Sequence, residues 1–180
     1  MAYGGSRHFF QHPPGPDKSQ REAAAIKIAG KVANVRILIV EDEFLIAMET
    51  EEIVAALGHD VVGPVATSAE ARQVAPGCDF AFVDVRLADG ETGPALADDL
   101  FTKHGITVVF TTGNPDLVMA SRSAVGVLPK PFDQEDISSA ITYAVARRNG
   151  ENPEPTRRLQ PIFADQVRAH SWPAPSDANS

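Results

Sequence analysis

The sequence predicts an α/β fold, a doubly wound parallel sheet of five strands with helices on both faces. Three observations predict it. Short apolar runs rich in β-branched residues and phenylalanine alternate with helical patterns five times between Val35 and Asn149. The first, third and fourth runs are apolar throughout, as when helices cover both faces of a parallel sheet. Polar and acidic residues gather just past the ends of the runs, where doubly wound folds carry their sites.

The strands are expected at Val35 to Val40, Asp60 to Val65, Phe80 to Val83, Ile106 to Thr111 and Val125 to Leu128. After the first, Ile46, Ile53, Val54 and Leu57 fall near one helical face, and Gly58 is the stop signal. Thr67 and Glu70 have the spacing of a capping box for a second helix that ends before Pro76. Pro94 suits the first turn of a third helix, with Leu96 and Leu100 facing inward. Pro115 is expected to open a fourth. Ile137, Ile141 and Val145, each four apart, stripe a fifth that begins after Asp133.

The ends of the chain read differently. Residues 1–34 form an N-terminal extension, partly helical or disordered, with a helical pattern at Lys18 to Val32. Residues 35–149 are the expected folded domain, and 150–180 a proline-rich tail. In that tail Ile162, Phe163, Val167 and Trp172 could form a short docking segment, with disorder the equal alternative. His8 and His12, four apart, lack a third ligand and are assigned to the tail.

Composition narrows the function. The 180 residues are 43% hydrophobic and carry a net charge of -8. Residues 35–148 hold eighteen acidic and eight basic side chains, a balance that nucleic-acid phosphates would repel. No apolar run approaches the ~20 residues of a membrane span, so a cytoplasmic protein with no membrane or nucleic-acid partner is expected. Cys78, the single cysteine, excludes an intrachain disulfide and reads as a small residue at the core edge.

The strand ends carry the chemistry. The first run ends in Glu41, Asp42 and Glu43, the third in Asp84, the fourth in Thr111, Thr112 and Gly113, and the fifth is followed by Lys130 and Pro131. Carboxylates about 4 Å apart repel by ~4 kcal/mol per pair at an effective dielectric near 20, so positive charge belongs among them. Hard oxygen ligands in this number suit Mg²⁺, and Lys130 can add a fixed cation. Taken singly, each residue has a plainer reading: an acidic helix start, a solvated Lys-Pro turn, a threonine bonding its own backbone. Only the four together, in order, favour a site.

The pieces ILIVEDE at Ile37 to Glu43, FVDVRLADG at Phe82 to Gly90, VVFTTG at Val108 to Gly113 and LPKPF at Leu128 to Phe132 resemble the receiver domain of bacterial response regulators. That resemblance implies the CheY-like, flavodoxin-like strand order 2-1-3-4-5. It implies a single-domain response regulator of a two-component phosphorelay, with Asp84 accepting a phosphoryl group from a sensor histidine kinase or phosphotransfer protein. Mg²⁺ would be held by Asp42, Asp84 and the backbone carbonyl of Arg86, with Glu41 acting through water. Lys130 would pair with a phosphoryl oxygen, and Thr112 would be the switch hydroxyl. Such a protein is no enzyme beyond its own phosphorylation and dephosphorylation.

Two features depart from the usual pattern. Most receivers carry an aromatic residue three positions before the lysine, and here that position is Val127. The fourth strand and the first strand with its helix resemble receivers of the alphaproteobacterial FATGUY group, although Thr111 replaces Ala and Asn114 replaces Gly or Tyr. That likeness implies a stress-signalling role. No output module is visible, so output is expected through a downstream protein or a homodimer. The family's surface for this is the fourth helix, fifth strand and fifth helix, here including Arg122, Tyr143 and Arg147; solvated surface is the plainer reading.

Two rivals remain. An aspartate-nucleophile phosphohydrolase of the haloacid dehalogenase type needs a second acid two residues after the nucleophile, where Arg86 stands. A pseudo-receiver would keep the fold as an interaction module without phosphate. The intact Asp84, Lys130 and acidic pair argue against it, and Val127 for it.

Overall fold

The computed structural model describes residues 34–155 and 157–162. The elements are β1 (Arg36–Val40), α1 (Phe44–Ala56), β2 (Asp60–Val65), α2 (Ser68–Val74), β3 (Phe80–Asp84), α3 (Gly93–His104), β4 (Thr107–Thr112), a 3₁₀ turn at Pro115–Leu117, β5 (Gly126–Pro129), α4 (Gln134–Arg148) and β6 (Gln160–Pro161). The sheet order is β2-β1-β3-β4-β5-β6. The first five strands are parallel, as expected, and β6 runs antiparallel to β5.

Alternate residues of each central strand feed opposite faces. Leu38, Val40, Ala81, Val83, Val108 and Phe110 join Leu96 and Leu100 of α3 and Ala71 of α2. Ile37, Ile39, Phe80, Phe82 and Val109 join Val54 of α1 with Ile137 and Ile141 of α4. Burial on both faces explains the unbroken apolar runs. Phe80 and Phe82 meet edge to face with centroids 4.7 Å apart.

Caps follow the sequence. The Thr67 hydroxyl accepts from the Glu70 amide, and the Glu70 carboxylate accepts from the Thr67 amide, a complete capping box. Asp133 and Asp136 form a second one at the start of α4. The bulge between β1 and β2 passes through Gly63, whose φ of 93° and position, where a Cβ would lie 2.8 Å from the Ile39 carbonyl oxygen, admit no side chain.

The expected helix after Pro115 is only the 3₁₀ turn. Leu117, Val118 and Met119 are consecutive, so they offer no stripe to bury; Val118 is buried while Leu117 and Met119 stay exposed. The second difference lies in the segment expected to be tail. It returns to the sheet as β6, with Leu159 buried in one apolar cluster and Ile162 in the other. The folded body therefore reaches Ile162. Leu159 and Ile162, one on each side of Gln160–Pro161, make too short a pattern to mark a strand.

The expected partner surface changes with it. Tyr143 is buried, Arg147 donates to the Asn152 side chain at 2.7 Å, and β6 covers the edge of β5, so Arg122, Tyr143 and Arg147 do not form one exposed face. The N-terminal helical pattern, His8, His12, Phe163, Val167 and Trp172 lie outside the described residues. Among the described residues no helix is long and apolar enough to cross a membrane. Cys78 is buried.

Candidate functional site

At the carboxyl edge of the sheet, β1, β3, β4 and β5 deliver their end residues to one open cleft of about 470 Å³. Asp84 closes β3, and Thr112 closes β4. Lys130 follows β5, its amide donating to the Thr112 carbonyl at 2.9 Å. Val85, Arg86, Asn114 and Leu117 also line the cleft.

Lys130 is the hub. Its Nζ lies 2.6 Å from an Asp84 oxygen, 2.8 Å from Glu41 and 3.1 Å from Glu43. Lys130, Asp84 and the Glu41 carboxylate are largely withdrawn from water, so their attraction is weakly screened, and each charge depends on the others for compensation. Burial alone would discharge the Lys130 ammonium, but its hydrogen bonds to Asp84 and Glu41 prevail and hold its pKa above the ordinary lysine value. Burial, reinforced by the Asp84 charge and opposed by the Lys130 hydrogen bond, raises the Glu41 carboxyl to about 7.

Ligand atoms of Glu41, Asp42 and Asp84 lie within 4.8 Å of one another, with Asp42 exposed to solvent. That spacing of carboxylate oxygens on an open edge fits a hard divalent cation that keeps part of its water shell. The Arg86 amide donates to Asp84 at 3.2 Å, while its guanidinium turns outward to Glu91 at 3.0 Å. The Thr112 hydroxyl accepts from the Asn114 amide at 3.1 Å and is buried at the cleft wall.

The sequence between residues 37 and 142 matches the response regulator receiver domain. The chain belongs to this receiver family. It is 34% identical over 131 residues to the phyllosphere-induced regulator PhyR of Methylorubrum extorquens, covering 69% of this chain and 48% of that protein. The chain thus spans about half the length of that relative. The crystal structure of the response regulator PhyR from Brucella abortus superposes with a TM-score of 0.63 at 28% identity, covering 71% of this chain and 54% of the other. Anti-anti-sigma factor PhyR from Bartonella quintana gives 0.62 at 27% identity over 74% and 56% of the two chains. These relatives agree with the alphaproteobacterial likeness of the first and fourth strands.

Within this receiver, Val127 is fully buried in β5, in the cluster that also holds Phe110 and Ile162. An inward-swinging ring has no counterpart at that position. Sequence reading missed two contributors. Glu43 belongs to the Lys130 ion cluster, and its place in the run Glu41 to Glu43 was the signal available. Gly93 was invisible as a site residue: a Cβ there would lie 2.1 Å from the Asp84 carbonyl oxygen and 2.8 Å from Val85 Cα. Only glycine lets α3 begin against the backbone of Asp84.

Proposed function

We propose that the chain is a phosphoryl-accepting response regulator of a two-component phosphorelay, with Asp84 as the acceptor. The reading is supported above all by one observation: an Asp84 carboxylate on an open cleft, 2.6 Å from the Lys130 ammonium and grouped with Glu41 and Asp42. The donor is a phosphohistidine of a sensor kinase or phosphotransfer protein. An Asp84 carboxylate oxygen forms the new O–P bond as the histidine N–P bond breaks, and the imidazole leaves with the electron pair.

Asp42, Asp84 and the Arg86 backbone carbonyl would hold Mg²⁺, with Glu41 contributing through water. When bound, Mg²⁺ supplies neutralisation of phosphoryl oxygens. Lys130 pairs with one of those oxygens, and Thr112 offers the hydroxyl that reports the new group. Output passes to a downstream protein in the cytoplasm, and the PhyR relatives support a stress-signalling role. Val127 gives the pseudo-receiver its one supporting observation, since the aromatic relay is absent.

Intact mass after incubation with acetyl phosphate and Mg²⁺ decides between them. Wild type should gain one phosphoryl group, and both EDTA and Asp84→Asn should abolish the gain. Absence of any gain, with acetyl phosphate and with a phosphohistidine donor alike, would establish the phosphate-independent module.

A further inference from the structure

The segment after α4 is tied to the loop that carries the site's lysine. Arg157 pairs with Asp133 at 3.4 Å, with Asp136 at 3.3 Å and with Glu135, while the Arg158 guanidinium donates to the Pro131 carbonyl. Asp136 is 1% exposed, and Arg157 is the cation beside it. From those anchors the chain continues as β6. The Ile162 amide donates to the Val125 carbonyl at 3.1 Å, and Leu159 and Ile162 enter opposite faces of the sheet. Gly126 makes the approach possible: a Cβ there would meet Leu159 Cδ1 at 3.1 Å and the Gln160 carbonyl at 3.2 Å.

Thus Lys130 to Asp133 is gripped from two sides. Lys130 is held by Asp84, Glu41 and Glu43, and Pro131 and Asp133, one and three residues later, are held by the two arginines. We infer that Arg157–Ile162 is a latch whose hold on the β5 edge depends on Lys130, so that a change at the Asp84 site loosens it and uncovers that edge. Its use in signalling rests on the phosphoacceptor reading above. Lys130 holds one Asp84 oxygen at 2.6 Å; when its ammonium turns from that oxygen to pair with a phosphoryl oxygen, the loop it shares with the latch moves with it. The coupling is reciprocal: weakening the latch loosens the loop that positions Lys130.

The test is amide hydrogen exchange, resolved by residue, on the full chain, with Ile162 reporting the latch and Phe82 in β3 reporting global opening. Lys130→Met, with no phosphodonor, should speed exchange at Ile162 by about fivefold or more while Phe82 is unchanged. An unchanged Ile162, or equal acceleration at both amides, overturns the latch. Arg157→Gln with Arg158→Gln should accelerate the Lys130 amide in the same selective way, and its failure to do so counts equally against the coupling. A third sample, whose mass shows one added phosphoryl group, should show faster exchange at Ile162 than the unmodified chain; equal exchange there ends the signalling role of the latch. If no mass is gained, the phosphoacceptor reading falls, and the two variant experiments still judge the latch on their own.

Discussion

Glu41→Gln should change how the stability of the protein depends on pH. Burial lifts the Glu41 carboxyl from an ordinary 4.5 to about 7. Between those values the folded chain holds a proton on Glu41 that the unfolded chain has lost, so folding takes one up. The stabilisation from Glu41 is therefore complete below 4.5 and disappears as pH rises through about 7. At about 1.4 kcal/mol per pH unit, linkage gives a loss on the order of 2–3 kcal/mol between about pH 5 and about pH 8. For a chain of this size that is roughly 5–10 °C in Tm. Calorimetry of wild type and Glu41→Gln in EDTA across this range reads the effect as the difference between the two curves, with the change at the neighbouring Lys130 ammonium included in it. Wild type should fall relative to the variant as pH rises. Parallel curves, or a wild type that gains on the variant with rising pH, would refute the reasoning.

Other substitutions test the packing around the site. Gly93→Ala should cost about 3 kcal/mol in chemical denaturation, because its methyl has no room beside the Asp84 carbonyl, and should slow phosphoryl uptake by displacing Asp84. Phe82→Leu, which removes the edge contact with Phe80 and leaves a small void in the α1–α4 side of the core, should cost about 1–3 kcal/mol by the same assay. Cys78 is buried, which pushes its thiol pKa up, so iodoacetamide should label it slowly in the native protein and rapidly once urea unfolds the chain. Fast native labelling at neutral pH would contradict that environment.

The parallel layers were legible in the sequence because burial on both faces leaves no freedom in what a central strand can be. Phe80 to Val83 and Val108 to Phe110 had no polar residue to suggest any other setting. Capping chemistry was equally readable at Thr67 and Glu70, since that box depends on residues only three apart. What escaped was non-local. The β6 pairing depends on Gly126 leaving space for Leu159 across a long sequence separation, and no periodicity within residues 149–162 signals it. The expected fourth helix failed for the converse reason: Pro115 is a valid start, but nothing after it supplies a face. In the cleft the acidic run, Asp84, Thr112 and Lys130 were all foreseen, whereas the capture of Glu43 by Lys130 and the clearance at Gly93 required distances.

The seating of β6 on β5 also bears on what the outer margin of the sheet is free to pair with. A two-residue strand paired with Gly126 and Val127, followed by the Ile162 amide on the Val125 carbonyl, is enough to cover a margin that would otherwise offer a template for another chain. A version shortened to end at Arg148 would keep every cleft residue and still match the family over residues 37–142. It would nonetheless open that sheet margin and bare the apolar ground beneath Leu159 and Ile162. Such trimming would damage solubility and, by removing Arg157 and Arg158, would also free the loop that positions Lys130.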